Sequence, residues 1–269
     1  MEVAVELLVE TACYVTVAAC LYDGQAAWDR NRAAVAGNIV RLYKLLHGFL
    51  DQLCQRRGEL AQVFNRLIFE TLINARYLMK NFSDATVLQY ISSSLVHERK
   101  LRDRILANID ARSGIMLPIE DRMLQSINYT ARKANVSLDQ IDPQQDNRWG
   151  GSIYKRCKDV GWVDAYLYVF SGGSSSIHGN WQELAGNHLE WDENKDGFTN
   201  KTEWALVRPQ QPLALARLII ETLSEYAAFV GGDEAAELFD LYLRSLHDRV
   251  HTLTLKHEAY LSTKTWPEV

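Results

Sequence analysis

Apolar and polar positions alternate along this chain with a helical period almost throughout. In segment after segment, apolar residues return every three or four positions, the mark of a helix with one buried face. The first such run spans Val3 to Tyr22 and stops at Asp23-Gly24. A longer one fills about 27–56, with Ile39, Leu42, Tyr43, Leu46, Phe49, Leu50 and Leu53 as its stripe. Gly58 separates it from a third at 59–81. Ser83 reads as the N-cap of a fourth that runs to about 112, with Lys100, Arg102, Arg104 and Arg112 toward its negative end. Pro118 opens a fifth that ends near Asn135.

Residues 138–150 are polar and irregular and read as a linker. Shorter helices follow at about 151–160 and 162–171, and Gly172-Gly173 interrupts the pattern before another turn or two through His178. Residues 191–211 read as a polar loop, followed by helices at 212–230 and 233–260 split by Gly231-Gly232. No segment reads as a strand. These elements predict an all-α fold, an antiparallel bundle of about nine helices. It is read as one domain over 1–269, divisible, if anywhere, into 1–137 and 151–269 around the linker.

Composition agrees and narrows the function. With 47% hydrophobic and 23% charged residues a packed core is expected, and 15 Gly with 5 Pro are too few for many short strands and tight turns. The net charge of −5 argues against a broad surface for nucleic acid or anionic lipid, though not against a local basic pocket. Cys13, Cys20, Cys54 and Cys157 form no Cys-x-x-Cys pair. On a helix Cys13 and Cys20 stand about 10 Å apart along the axis, too far for a disulfide. Reduced thiols and a cytoplasmic location are the expectation. Glu6 and Glu10 interrupt the apolar first helix, so a buried helix is expected there and not a membrane span.

The third helix carries the first candidate chemistry. At about 100° per residue with Arg66 at zero, an arc from about −20° to 120° is apolar or aromatic apart from Arg66, Glu70 and Asn74. These follow at i, i+4 and i+8 and stack as one polar ladder. The solvent side is expected near Gln62, Asn65 and Arg76. A buried Arg66 needs a partner, which Glu70 or another helix must supply. Two readings follow: an ion pair that fixes helix register, or a charge site in which Arg66 holds an anion and Glu70 orients it. The second candidate is Tyr168-Val-Phe-Ser171-Gly-Gly-Ser174-Ser-Ser-Ile-His178-Gly-Asn180-Trp181. There Ser174 and His178 share a face if the turn is helical, with Asn180 beside them. His178 reads either as a core histidine or as an acid–base group.

Together the run from Asn65 to Leu78 and the Tyr168…Ser174…His178-Gly179 run resemble the paired signature of a bacterial domain-of-unknown-function family, the one numbered 5677. The resemblance implies an all-helical layout and no settled activity. By analogy it suggests kinship with HEPN helical bundles, many of which are metal-independent ribonucleases in toxin and antiviral defence systems. That pattern puts Arg four to six residues before His on one helix, whereas Gly172, Gly173 and Ser174 precede His178 here. Arg66 would then have to supply the guanidinium from another helix.

Two further matches concern metals. Asp192-Glu-Asn194-Lys-Asp196-Gly197-Phe-Thr-Asn200-Lys-Thr-Glu203 fits a calcium loop at its oxygen ligands, its sharp Gly turn and its terminal carboxylate. Thr199 stands where an apolar residue is usual, no second loop is present to pair with it, and an acidic surface hairpin is the competing reading. His247, His251 and His257 have the spacing of a zinc protease site. Asp248 replaces the general-base Glu, Thr254 replaces the helix-ending Gly, and the zinc reading is set aside. The expectation is therefore a protein that needs no cofactor, with calcium at 192–203 as an added option. It directs itself at RNA or a nucleotide through Arg66, Glu70, Ser174 and His178, with Asn74, Tyr168 and Asn180 as binding residues. The alternative is a non-catalytic helical module that binds a protein partner or a second copy of itself, its polar cluster purely structural.

Overall fold

The computed structural model describes residues 1–21, 27–144, 149–171 and 177–265. It is predominantly helical, and its one sheet among the described residues is a two-stranded hairpin. Two compact units form, one from Met1–Lys80 with Cys157–Val269, the other from Asn81–Arg156.

The larger unit is built on α1 (Glu2–Ala19), α2 (Arg30–Cys54), α3 (Gly58–Lys80) and the long α10 (Gln210–Ser262). Asp29 starts α2 by accepting hydrogen bonds from the backbone N–H groups of Asn31 and Arg32. The stripe of Ile39, Leu42, Leu46, Phe49 and Leu53 is buried against α1 and α3. The chain reverses between α2 and α3 at Arg56, which takes a left-handed φ of 58°. Gly58 has a different reason. Its N–H donates to the carbonyl of Ala205 at 2.9 Å, and an added Cβ would lie 2.1 Å from that oxygen. Only Gly lets the 201–208 segment come so close. Glu59 completes the attachment by accepting from the Ala205 N–H at 2.9 Å.

α10 is continuous by hydrogen bonding but reverses at Gly232, where φ is 69° and ψ −163°. This backbone region is essentially confined to Gly. Ser224 and Asp240, eight residues to either side of it, touch through Oγ and a carboxylate oxygen. The segment is thus an antiparallel pair of helices, as Gly231-Gly232 predicted, and it packs with α1 and α3, Glu225 of its first half meeting Arg76 of α3 and Arg249 of its second half meeting Glu10 of α1. No helix among the described residues is long and apolar enough to cross a membrane. Cys13, Cys20, Cys54 and Cys157 are all free thiols.

In the smaller unit the single helix expected over 83–112 is two, α4 (Asp84–Ser94) and α5 (Val96–Ala111). The break at Leu95 lets Leu95 and Val96 enter one core, whereas a straight helix would splay adjacent side chains by about 100°. Ser83 caps α4, and Pro118 opens α6 (Pro118–Lys133). Glu120 accepts from the Leu117 N–H at 2.9 Å and pairs with Arg112, whose hydrogen bond holds its carboxyl below the usual range. Arg99 donates to the Leu138 carbonyl at 2.6 Å and Arg102 to Asp139 at 2.6 Å, pinning the 3-10 turn Leu138–Gln140.

Between α7 (Ile153–Asp159) and α10 the larger unit departs from regular helix. α8 (Val163–Ala165) widens into a π-helix at Tyr166–Ser171. α9 (Trp181–Glu183) does the same at Leu184–His188. The polar loop expected at 191–211 is in part the hairpin of β1 (Leu189–Asp192) and β2 (Gly197–Asn200), with Trp191 opposite Phe198. Each strand has four residues, too few for a period of two to register against the surrounding pattern.

Candidate functional site

The site is organised by α3 and the segment that packs on it, Trp162 to Ser171. Phe69 of α3 is fully buried and lies between Trp162 and Phe170, with ring centroids 6.2 and 6.1 Å away. On either side of this aromatic pair an arginine of α3 rests on a ring. The Arg66 guanidinium carbon is 4.0 Å from the centroid of Phe170, and that of Arg76 is 4.2 Å from Trp162. Such stacking suits the flat, weakly hydrated guanidinium.

Arg66 Nε donates to Glu70 Oε1 at 3.1 Å, one turn along the helix. The side chains are 12% and 30% exposed. Arg66 Nη1 is buried and has no hydrogen-bond partner, and the same holds for Asn74 Oδ1 further along the ladder. An unmet donor and an unmet acceptor on one face are unusual in a settled core. Arg76 Nη1 is likewise buried without a hydrogen bond, but this arginine is held by more partners. Its Nε donates to Glu225 at 2.8 Å, a second nitrogen also meets Glu225, and Nη1 lies 3.6 Å from Glu221. Glu221 accepts in turn from the indole N–H of Trp162 at 2.9 Å and pairs with Arg217 at 3.2 Å.

The deepest face of α3 is not the expected arc. Ala61, Asn65, Ile68, Leu72 and Ala75 are buried, about 180–260° round the helix from Arg66. Asn65 and Arg76, expected toward solvent, are buried and nearly enclosed. The reason is crowding: α2, α10 and the 162–171 segment cover α3 from several sides. Both arcs therefore carry apolar residues, and periodicity alone cannot rank them.

The second stretch is more open. Tyr168 is 83% exposed, and His178 is exposed at the end of a short turn that Gly179 closes with φ 56°. Asn180 serves α9 as N-cap, its side chain accepting from the Glu183 N–H at 3.1 Å. Ser174 lies outside the described residues. In the 192–203 stretch, Asp192, Asn194 and Asp196 stand at the turn of the β1–β2 hairpin, Asn200 pairs with Leu189, and Glu203 follows at a bend beyond β2. The π-helix Leu184–His188 precedes the hairpin directly, and no helix follows it among the described residues before Gln210. Asp192 accepts from the Asn194 N–H at 3.0 Å and pairs with Lys195 at 2.9 Å. The Lys195 ammonium holds its carboxyl below the usual range. Among the described residues no three His, Cys, Asp or Glu side chains gather closely enough to hold a metal ion. His247 and His251 stack at 6.3 Å along α10, and His257 Nε2 is buried without a partner.

Beside Arg76 lies a half-open cavity of about 830 Å³, with Trp162, Tyr168, Leu213, Arg217 and His257 among its walls. Arg66 is not among the residues that line it. Of its α10 side the sequence marks only His257, in the rejected zinc spacing, and Arg76 stands in the motif of α3. A model of the family of unknown function DUF5677 matches residues 32–198. The chain belongs to the DUF5677 family. The span typical of the family holds α3 and both aromatic seats, while Glu221, Glu225 and His257 come from outside it. Comparison with curated proteins and with solved structures gives no match.

Proposed function

We propose that this DUF5677 protein acts on RNA or a nucleotide, as a HEPN-like ribonuclease of a toxin or defence system. The observation that carries the reading is Arg66: its guanidinium is stacked, oriented by Glu70, and still has an unmet donor. A phosphoryl oxygen is the ligand for such a donor. The ring under it, Phe170, belongs to the segment that continues to His178. In the proposed reaction His178 takes the proton of a ribose 2′-hydroxyl as its oxygen bonds to phosphorus. The bond to the 5′-oxygen breaks, and the proton returns to that leaving oxygen. Arg66 offsets the charge on the phosphoryl oxygens, and the Ser174 hydroxyl hydrogen-bonds to them. Tyr168 offers an exposed ring on which a base stacks.

A second reading has its own support. The Arg66–Glu70 bond and the Phe170 contact already satisfy much of the guanidinium, as a register-fixing pair would require. Labelled RNA incubated with the purified protein separates the two. On the first reading His178→Ala abolishes cleavage, and growth inhibition by the expressed protein, with helicity unchanged. Cleavage or toxicity that survives in a folded His178→Ala protein removes His178 from the mechanism. Absence of both in the wild type leaves the structural reading.

A further inference from the structure

Around the β1–β2 hairpin, three large aromatic side chains stand in the open. Trp181, Trp191 and Phe198 are 61%, 51% and 48% exposed. They are not scattered. Trp191 and Phe198 are cross-strand partners with ring centroids 5.0 Å apart, and Trp181 meets Phe198 edge-on at 5.4 Å. A cluster of three half-exposed rings is costly to leave in water and marks an interaction surface.

The charge around it chooses the partner. Glu193, Asp196 and Glu203 are exposed in the same stretch, and none has an ion-pair partner among the described residues. Glu190, paired with Thr199, lies on the other face of the hairpin. Both nearby lysines are engaged, Lys195 with Asp192 and Lys201 with the Gly186 carbonyl at 3.2 Å. The surface therefore repels phosphate and attracts cations. Elsewhere the chain itself shows what fits a ring of this kind. Arg66 stacks on Phe170, Arg76 on Trp162, Arg156 on Trp149 at 4.5 Å and Arg57 on Trp204 at 5.7 Å. The Trp181–Trp191–Phe198 cluster has acidic neighbours and no arginine among the described residues.

We infer that this hairpin is a docking surface for an arginine-rich segment of a protein partner, whose guanidinium groups stack on Trp181 and Trp191 and pair with Glu193 and Asp196. The inference stands apart from the phosphate-directed reading of Arg66 and would survive its failure.

Titration of the full chain with a short arginine-rich peptide, followed by tryptophan fluorescence and calorimetry, tests it. A lysine-rich peptide of equal charge and a single-stranded RNA serve as comparisons. The arginine peptide is expected to bind most tightly and to weaken as salt rises. Trp191→Leu should weaken it by about tenfold, the loss of one good stacking contact. Because Trp191→Leu could loosen the hairpin, the doubly neutralised Glu193→Gln/Asp196→Asn variant provides a second arm. Asn tolerates the left-handed φ of 46° at position 196, so this variant keeps the turn. It should also bind several-fold more weakly. The inference is overturned if the wild type binds no arginine peptide, if lysine binds as well as arginine, if neither variant weakens binding, or if Trp191→Leu weakens RNA binding as much as peptide binding.

Discussion

The two ends of α3 use the same device for different purposes. Arg66 and Arg76 each lie on an aromatic ring of the 162–171 segment, and their side chains are equally enclosed at 12% exposure. Arg76 is closed in by Glu221 and Glu225 of α10 and so ties three elements together. Arg66 has one carboxylate, from its own helix. Each arginine keeps a buried Nη1 without a hydrogen bond, but that of Arg76 faces Glu221 at 3.6 Å. A guanidinium surrounded by partners from distant elements is doing structural duty. One held by a single carboxylate of its own helix, with none facing its unmet nitrogen among the described residues, is available to a ligand. The comparison therefore assigns stability to the Arg76 end and chemistry to the Arg66 end.

The largest effect should come from Arg76→Ala. It removes two ion pairs and uncovers Trp162. Breaking a sealed pair costs about 3–5 kcal/mol, but Glu221 and Glu225 keep 31% and 43% side-chain exposure and can be rehydrated. A loss of about 2–3 kcal/mol in chemical denaturation is expected. A loss below that of any change at position 66 or 70 would invert the assignment of the two ends.

Glu70→Ala comes next. A ladder sealed inside an apolar face would make its loss cost about 3 kcal/mol or more. The observed pair sits on the less buried side of α3 and Glu70 is 30% exposed, so about 1–2 kcal/mol is expected. A melting midpoint identical to wild type would mean that water replaces the carboxylate without cost.

What the sequence could disclose follows from the range of each interaction. Arg66 and Glu70 are one helical turn apart, so their pairing could be read from spacing alone. Gly231-Gly232 marked the reversal in α10 because only Gly suits the backbone found there. Arg76 finds Glu225 149 residues away, and no local pattern announces that. It stands in the motif of α3, yet periodicity predicts solvent for it, because helical periodicity shows which faces are apolar, not which apolar face lies deepest. The hairpin was hidden for another reason. Asp196-Gly197 is at once the glycine turn of a calcium loop and a two-strand turn signal, and the flanking strands were too short to decide between them.

The smallest effect sharpens the comparison most, because it holds charge constant. Lysine keeps the cation but loses the planar fork and most of the stacking. At position 76 the fork is in use: two nitrogens meet Glu225 and a third faces Glu221. Arg76→Lys should therefore cost about 1–2 kcal/mol, since one ammonium cannot span both carboxylates. At position 66 the fork meets only Glu70, which an ammonium can follow across a single helical turn. Arg66→Lys should cost under about 1 kcal/mol in stability. If Arg66 is the phosphate-directed group, the same Arg66→Lys protein should lose about tenfold or more in affinity for a mononucleotide or RNA probe, while Arg76→Lys loses little. Stability and affinity would then separate across the two positions. Equal losses in both measurements at both positions would mean that the arginines are interchangeable structural ties, and that the unmet nitrogen of Arg66 carries no function.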